Sequence, residues 1–508
     1  MTQNTDPSNQ KTDYKAPFVL GLDVGTSSTR ALLFDATGAT VSHVQSQRTY
    51  QLTTSDEGEV SVDADALLSV VAETIDEALK QAGELAKQIA AVATDTFWHN
   101  LLGIDESGRP VMPVITWEDT RPHSVVADLR KQLDEKATHE RTGARFHASY
   151  WSAKLLWLAK QWPETFKGVT KWLSFGEYMQ RKFLGKSVCS LSMASGTGLL
   201  VTRERAWDAE LLKFLNVRPE QMSELGDLRD SVRGLTAEYA DRWPVLRDVP
   251  WFPAIGDGAS ACIGSGCATS DNWSLTIGTS SAMRVVIPPE QTKPPLGLWL
   301  YLVDAKRAVL GGALSEGGNM LSWLDTVLKL PELKDAEPLI ADLEPDAHGL
   351  TILPFLSGER SLGWHAEARM TISGIGRHTT PAELLRAGME SLAYRLATVY
   401  EQICGALQIE HPRVIGSGGA LLGSSLLQSI IADTINAAIY PSRNHEASAR
   451  GAALLALEAI GVIADVAQIA PALDAPTNPN AERGKRYQSG LERQKKLYQL
   501  LSGNLEGM

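Results

Sequence analysis

The stretch Phe18-Val-Leu-Gly-Leu-Asp23-Val-Gly25-Thr-Ser-Ser28 decides how the first half of the chain folds. Residues 18–23 are short, apolar and rich in β-favouring types, which predicts a buried strand. A second β-like run covers residues 31–34, and Asp35-Ala-Thr-Gly38 closes it as a turn. The segment therefore predicts a β-hairpin with a glycine-led, hydroxyl-rich loop at its tip.

The same pattern recurs in the second half of the chain. Residues 273–277 and 283–287 are β-like, and Gly278-Thr-Ser-Ser281 lies between them. The letters GTSS are therefore identical in both loops, almost half the chain apart. A shared strand–loop–strand frame at this spacing predicts an internal duplication.

The remaining pattern alternates helix and strand. An apolar helical stripe covers residues 65–81, and residues 89–93 and 100–104 are β-like. Strand 414–419 runs into a glycine-rich turn, and helices are predicted at 424–438 and 446–461. We expect an α/β fold in which a flexible tail (residues 1–16) precedes an N-terminal lobe (17–265) and a C-terminal lobe (266–508). Because no low-complexity linker separates the lobes, they should be closely joined.

Composition narrows the class of protein. The 508 residues carry 48 Lys and Arg against 60 Asp and Glu, a net charge of −12, which disfavours a nucleic-acid partner. Neither a secretion signal nor a membrane-spanning stretch is visible. The four cysteines form no CxxC pair, which is typical of buried, reduced thiols and predicts a cytoplasmic protein. The oligomeric state stays open, a homodimer included.

The two GTSS loops suit phosphate binding. A loop of small residues after a strand exposes backbone N–H groups and hydroxyls, and two such loops can hold a polyphosphate from both sides. Asp23, just before the first loop, would then act through Mg²⁺, since direct contact with phosphate is repulsive. The alternatives are two ordinary tight hairpins and a turn-capping Asp.

Other segments could carry the remaining chemistry. Asp257 lies between glycines ahead of the second loop, where a carboxylate can accept a proton from an attacking hydroxyl, although an Asp-Gly turn is the alternative. Residues 414–420 form a glycine-rich strand-to-helix turn suited to a flat ring or a phosphate. Aromatic and polar residues alternate at 97–100, 117–121 and 147–151, as in polyol sites or in an aromatic core.

Together these segments resemble the FGGY family of carbohydrate kinases, within the actin-like and Hsp70-like ATPase superfamily. The resemblance covers about residues 18–461. Its phosphate motifs are Gly21-Leu-Asp-Val-Gly-Thr-Ser-Ser28 and Leu275-Thr-Ile-Gly-Thr-Ser-Ser281. Its adenosine motif is Gly418-Gly-Ala-Leu-Leu-Gly-Ser-Ser-Leu-Leu-Gln428, followed by Glu446-Ala-Ser-Ala-Arg-Gly-Ala-Ala453. The resemblance implies two actin-like, ribonuclease H-like lobes around a central nucleotide and sugar cleft.

The resemblance also implies site residues. Asp257 would be the general base, and Asp23 would hold Mg²⁺. The residues implied to contact the phosphates of ATP are Thr26, Ser27, Arg30, Gly278 and Thr279. The adenine pocket would use Gly419 and Ala420, with Gly318 on the opposite wall. The implied sugar contacts are Trp98, His99, Asp119, Arg121 and Tyr150. Trp98 and His99 fall where xylulokinases have Met-His and glycerol kinases Arg-Glu.

The predicted reaction is ATP-dependent phosphorylation of a small sugar or sugar acid, with D-gluconate as the preferred substrate and 6-phosphogluconate as the product. Three segments look most like gluconokinases: Thr116-Trp-Glu-Asp-Thr-Arg121, Ser149-Tyr-Trp-Ser-Ala-Lys154 and Pro354-Phe-Leu-Ser-Gly-Glu-Arg360. The groups expected to bind an anionic substrate are His99, Arg121, His147 and Lys154.

Two departures from the family pattern bear on the substrate. Many members carry Gln after the catalytic Asp, where this chain has Gly258. The Arg-Glu pair of glycerol kinases is absent, which disfavours glycerol. A xylulokinase or another pentulose or polyol kinase is the alternative. A non-catalytic, nucleotide-dependent switch on the same fold is the more remote alternative.

Overall fold

The structure, a computed structural model, describes residues 14–328, 330 and 333–502. The strands of the first half are β1 (Phe18–Val24), β2 (Ser28–Phe34), β3 (Thr40–Thr49), β4 (Thr53–Thr54), β5 (Val60–Val62), β6 (Ile89–Thr96), β7 (Leu102–Ile104), β8 (Val114–Ile115), β9 (Lys171–Leu173), β10 (Cys189–Ser190), β11 (Leu200–Val201), β12 (Ala206–Trp207), β13 (Leu225–Gly226) and β14 (Ile255–Gly256). Those of the second half are β15 (Asn272–Ile277), β16 (Ser281–Ile287), β17 (Trp299–Leu302), β18 (Ala308–Leu314), β19 (Thr351–Leu353), β20 (Thr371–Ser373), β21 (Arg413–Ser417) and β22 (Ile439–Pro441).

Helices cover the faces of the sheets. Those of the first half are α1 (Ala64–Ala82), α2 (Val126–Gln132), α3 (Glu135–Thr142), α4 (Trp151–Gln161), α5 (Pro163–Gly168), α6 (Phe175–Leu184), α7 (Leu191–Gly196), α8 (Ala209–Phe214), α9 (Ala237–Arg242) and α10 (Asp257–Gly264). Those of the second half are α11 (Gly318–Leu328), α12 (Leu333–Ala341), α13 (Pro381–Leu407), α14 (Gly419–Leu422), α15 (Ser425–Ile435), α16 (Ala447–Ala459) and α17 (Ala481–Ser502). None of the helices in the described ranges is long and apolar enough to span a bilayer.

Two sheets that share the order of five strands form the centres of the two lobes, and the second has the additional edge strand β17. The first has the strand order β14-β6-β1-β2-β3, in which β1, β2 and β3 are antiparallel neighbours and β1, β6 and β14 run parallel. The second has the order β17-β18-β16-β15-β21-β22, and β15 repeats the role of β1. The prediction of a duplicated α/β fold with two actin-like, ribonuclease H-like lobes is therefore confirmed.

Both GTSS loops lie at the ends of hairpins, as predicted. In the first hairpin Val24 pairs with Thr29, and in the second Ile277 pairs with Ser281. The Gly25 amide donates to the Ser28 carbonyl at 2.9 Å, and the Gly278 amide donates to the Ser280 carbonyl at 3.0 Å. Of the other hydroxyl-bearing loop residues, Thr26 is half-buried and faces the space between the lobes, and Ser27 and Thr279 are exposed.

The lobes meet where α10 crosses α16. This crossing brings two glycines against backbone: a Cβ built on Gly264 would lie 1.8 Å from the Ala447 carbonyl oxygen, and one on Gly451 would lie 1.8 Å from that of Ser260. No side chain fits at either position without moving a helix. The close packing places the start of α10, and with it Asp257, beside the second half of the chain.

Some boundaries differ from those predicted. The helix predicted at 424–438 ends at Ile435, because Asn436 adopts the left-handed conformation that terminates helices (φ 50°). Of the predicted tail, residues 1–13 lie outside the described residues. Tyr14 and Lys15 are instead held against the first hairpin: the Ser42 amide donates to the Tyr14 hydroxyl, and the Lys15 amide to the Asp35 carboxylate. Cys189, Cys262 and Cys267 are free and buried as expected, whereas Cys404 is free but only half-buried.

Candidate active site

A cavity of about 160 Å³ lies between the lobes and contains Asp257. The first half of the chain contributes Thr26, Trp98, His99, Trp117 and Asp257 to its wall. The second half contributes residues that include Ser280, Arg284, Trp299, Tyr301 and Arg360. The cavity around Asp257 is therefore a space shared by both lobes.

Asp257 is placed by the short strand β14 and the helix α10 that follows it. The Gly256 amide donates to the Ser192 hydroxyl at 3.1 Å, which secures the strand end. The Gly258 amide donates to Asp257 Oδ1 at 2.8 Å, so the carboxylate lies at the positive end of the helix. Burial raises the pKa of Asp257, and the nearby Arg284 guanidinium opposes that rise. The group is a carboxylate placed to accept a proton inside the cavity.

Trp98 and His99 form one wall of the cavity, as the sequence predicts. The Trp98 indole fits where Gly256 has no side chain, since a Cβ there would lie 1.9 Å from the ring. Trp98 Nε1 donates to the Ser192 carbonyl at 3.1 Å. His99 has a left-handed backbone (φ 66°), and its Nδ1 lies 2.5 Å from the Gly196 carbonyl oxygen. Burial lowers the pKa of His99 well below its usual value, so the imidazole is neutral at pH 7.

Three other predicted sugar contacts do not line the cavity. Tyr150 lies behind the wall, where its hydroxyl bonds the Tyr301 hydroxyl and its ring contacts His99 at 5.0 Å between centroids. Arg121 forms a bidentate pair with the buried Asp119, with the shortest contact at 2.6 Å, and packs over the Trp157 ring. The Asp119–Arg121 pair therefore supports the loop that carries Trp117.

Lys154 and His147 contact other protein groups and do not line the cavity. The sequence led us to expect both as contacts of an anionic substrate. Lys154 is fully buried, and its ammonium donates to the carbonyl oxygens of His99 at 2.5 Å and Thr116 at 2.7 Å. Burial lowers the pKa of Lys154 to about 7. Burial also lowers the pKa of His147 to about 3, so its ring, which lies against Trp364, carries no charge at pH 7.

The cations that do line the cavity are Arg284 and Arg360, and sequence analysis missed both as site residues. Arg284 lies on β16, three residues after the second GTSS loop, and Arg360 ends a segment used only as a family signature. Trp299 and Tyr301 of β17 were also missed; their rings stack at 4.3 Å and 7°. An alternating Trp-x-Tyr in a strand was the available signal.

Asp23 and Arg30 lie on either side of the first GTSS loop. They are cross-strand partners in β1 and β2, with Arg30 Nη1 3.5 Å from Asp23 Oδ2 and 3.2 Å from Glu446 Oε2. Asp95, on β6, is directly opposite Asp23 and fully buried, and it too was missed. Burial raises the pKa of Asp23 to about 6 and that of Asp95 well above its usual value.

A second cavity, of about 270 Å³, joins these charges to the glycine-rich turn. Asp23, Arg30, Gly418, Gly419 and Glu446 are among the residues in its wall. The turn lies close to the end of β15, just before the second GTSS loop, since a Cβ on Gly418 (φ 91°) would lie 2.4 Å from the Ile277 carbonyl oxygen. The structure thus places the glycine-rich turn beside the second loop.

Gly318 begins α11 beside the second GTSS loop. Its amide donates to the Gly278 carbonyl at 2.7 Å, and a Cβ on it would lie 3.0 Å from the Ala420 Cβ. Gly318 and Ala420 are therefore direct neighbours. A further cavity of about 930 Å³ opens beside them between α12 and α15, with Leu422, Gly423 and Leu426 in its wall.

A duplicated fold with two hydroxyl-rich hairpin loops, a carboxylate in the cleft and a sugar-sized cavity defines a phosphotransferase that acts on small alcohols. The chain belongs to the FGGY family of carbohydrate kinases. The family's N-terminal domain matches residues 18–264, and its C-terminal domain matches residues 273–460. Membership makes the protein a carbohydrate kinase that takes a small-molecule sugar substrate, and it implies ATP as the phosphate donor.

Named relatives fall into more than one substrate class. The gluconokinase of Bacillus subtilis is 26% identical over 457 residues, which cover 88% of each chain. The crystal structure of a gluconate kinase from Lactobacillus acidophilus superposes with a TM-score of 0.87 at 26% identity and covers 95% of this chain and 98% of that one. A xylulose kinase structure from the same organism superposes with a TM-score of 0.86, also at 26% identity, with coverage of 96% and 98%.

Proposed function

We propose that the protein phosphorylates D-gluconate to 6-phosphogluconate with ATP, using Asp257 as the general base. The observation that carries this proposal is the charge of the central cavity. Its wall holds two guanidinium groups, Arg284 and Arg360, against the single carboxylate of Asp257. Such a cavity has a net charge of about +1, which suits a substrate with one negative charge. The likeness to gluconokinases points the same way.

Asp257 would act on the substrate hydroxyl. The hydroxyl proton passes to the carboxylate as the oxygen forms a bond to the γ-phosphorus, and the bond from that phosphorus to the β–γ bridging oxygen breaks, so that ADP leaves. The transition state of such transfers is loose, so positioning and charge neutralisation contribute more than the strength of the base. The aromatic wall of Trp98, Trp299 and Tyr301 would exclude water from the reacting oxygen.

The described residues fit a magnesium ion at Asp23. Mg²⁺ prefers oxygen ligands, and the carboxylates of Asp23 and Asp95 lie together with no donor to either oxygen of Asp95 among the described residues. Asp23 would hold the ion, which would neutralise charge on the phosphates of ATP. Arg30, beside Asp23, supplies a fixed positive charge at the same place.

ATP would lie along the nucleotide side of the cleft. Its phosphates would run between the GTSS loops, where they would meet Thr26, Ser27, Gly278 and Thr279. Adenosine would lie against Gly419 and Ala420 and extend into the 930 Å³ cavity. Residues 17–265 would then supply the base, and residues 266–508 most of the nucleotide site.

A pentulose is the second candidate substrate. The xylulose kinase structure superposes almost as well as the gluconate kinase structure. The wall of Trp98, Trp117 and Trp299 would also suit the apolar faces of a neutral ketose. The positive charge of the cavity favours the acid.

The deciding experiment is ADP release with Mg-ATP and a substrate panel. The panel contains D-gluconate, D-xylulose, L-ribulose, glycerol and further aldonates and polyols. We expect the highest kcat/KM with D-gluconate. A higher kcat/KM with a neutral ketose would make that ketose the substrate and leave Asp257 as the proposed base. Binding of ATP without turnover of any substrate would favour the nucleotide-dependent switch.

A further inference from the structure

Arg284 occupies space that the residue after the catalytic base leaves free. The arginine lies on β16, cross-strand from Ser274 and Gly311. A Cβ built on Gly258 would lie 3.3 Å from Arg284 Nε, 3.4 Å from Nη2 and 2.7 Å from the Trp98 ring. A long side chain at position 258 would therefore displace the guanidinium or the indole. The position of the Arg284 guanidinium therefore depends on the absence of a side chain at Gly258.

Arg360 lines the same cavity from the segment that follows β19. Its backbone is secured by the next residue: the Ser361 amide donates to the Ala313 carbonyl at 3.0 Å, and the Ala313 amide donates to the Ser361 hydroxyl at 3.1 Å. Arg360 Cζ lies 5.1 Å from the Trp117 ring centroid. The cation is thus held between β18 and the indole, and its position is fixed before a substrate arrives.

Neither guanidinium has its hydrogen-bonding capacity filled. The Nε atoms of Arg284 and Arg360 are buried without an acceptor, and in the part of the chain that the structure describes neither group forms an ion pair. Buried cations are normally paired, because removal from water is costly unless an anion and hydrogen bonds compensate. Both arginines therefore have unused donors to offer to an anion bound in the cavity.

We propose that Arg284 and Arg360 form a carboxylate receptor that selects sugar acids over neutral sugars and polyols, and that Gly258 makes the receptor fit. This inference rests on the proposed function and assigns its specificity to named residues. Planar guanidinium groups match a carboxylate with paired hydrogen bonds, which a neutral hydroxymethyl group cannot replace. The same two cations would otherwise serve the phosphoryl group being transferred, and that role would not depend on the acid.

The test compares one acid and one neutral ligand that differ only at C1, D-gluconate and D-glucitol. Binding of each is measured by calorimetry on the full chain without nucleotide, together with KM and kcat for gluconate. Arg284→Gln should weaken gluconate binding and raise its KM roughly 10- to 100-fold, the loss expected for a charged hydrogen bond. Glucitol binding should change less than about threefold. Arg284→Lys should recover part of the lost gluconate affinity. Arg413→Gln, at an exposed site on β21, should leave the affinities for both ligands unchanged.

Each outcome separates the receptor from the proposed function. Equal losses for gluconate and glucitol in Arg284→Gln would overturn the receptor while gluconate kinase activity stands. A wild-type chain that neither binds nor phosphorylates gluconate would overturn the proposed function itself. If Arg284→Gln does not fold, Arg360→Gln makes the same comparison, and an unchanged ratio of the two affinities there would also refute the receptor.

Discussion

Asp23 and Asp95 face each other across the parallel strands β1 and β6, next to the first GTSS loop. Asp95 is fully buried, and among the described residues no donor reaches either of its oxygens. Asp257 lies near both, since β14 pairs with β6 at Ile255 and Asp95. Burial and the neighbouring negative charges raise the pKa values of Asp23 and Asp95. Three carboxyl groups, on β1, on β6 and at the start of α10, thus lie close together.

Asp95→Asn should stabilise the protein at neutral pH. Because the native pKa of Asp95 lies above its unfolded value of 3.8, this group stabilises the fold fully below pH 3.8, and the contribution is lost as pH rises. Each pKa unit of that difference costs about 1.4 kcal/mol at neutral pH. Urea unfolding at pH 5 to 8 should show a higher free energy of unfolding for Asp95→Asn than for the wild type at pH 7, and a flatter pH slope. The exposed control Asp56→Asn should have the same free energy of unfolding as the wild type. A lower free energy of unfolding for Asp95→Asn would show that the charged form of Asp95 does not destabilise the fold.

Asp257→Asn should abolish most turnover and leave nucleotide binding intact. Loss of a general base costs roughly 10²- to 10⁴-fold in rate, and we expect kcat to fall by at least about 100-fold. The Kd for ATP should stay within about threefold, because Asp257 lies in the sugar cavity. Since burial raises its pKa, wild-type kcat/KM should rise with pH on the acid side as the carboxylate ionises. A variant with normal kcat would exclude Asp257 as the base.

Gly451→Ala should destabilise the junction between the lobes. The new methyl group would lie 1.8 Å from the Ser260 carbonyl oxygen, so α10 and α16 must separate. Overpacking of this kind costs roughly 1–3 kcal/mol in unfolding free energy. Gly405→Ala in α13 is the matched control, because no atom lies within 4 Å of its new Cβ, and it should be neutral or stabilising. Equal stability of the two variants would show that the crossing tolerates side chains.

Lys154→Met should impair sugar binding without changing the preference for the acid. The carbonyl oxygens of His99 and Thr116 lose their donor, which costs roughly 1–3 kcal/mol for each buried group left unpaired. The KM values for an acid and a neutral sugar should rise by similar factors, because the ammonium does not reach the cavity. A rise in KM for the acid alone would indicate that Lys154 contacts the anionic group of the substrate.

The same variant makes a prediction about stability and pH. The native pKa of Lys154, about 7, is below its ordinary value of 10.5, so the native state binds fewer protons than the unfolded chain between these values. Wild-type stability should therefore rise with pH over this window. Urea unfolding at pH 7 and 9 should show that the free energy of unfolding of the wild type rises with pH relative to that of Lys154→Met. A difference that stays constant would mean that the native pKa of Lys154 is not lowered.

Local sequence pattern predicted the hairpins, the duplicated loops and Asp257. These features depend on residues close in sequence: a β-like run before a glycine-led loop forms a hairpin wherever it is buried. The family resemblance then placed Trp98 and His99, and the structure puts both in the cavity wall. Asp95 escaped notice because nothing around it in sequence marks it. Its importance comes from the register that sets β6 against β1.

Sequence pattern alone did not show which of Arg121 and Arg360 lines the cavity. Both follow short polar and aromatic segments, and both belong to stretches that look like gluconokinases. Arg121 folds back on Asp119, two residues away, whereas Arg360 points into the cavity that contains Asp257. Arg284, Arg360 and Asp257 come together only when both sheets are formed and packed, because their meeting depends on contacts between distant segments. Side-chain direction and burial are decided by that packing, and so the cations that line the cavity became visible only in the folded chain.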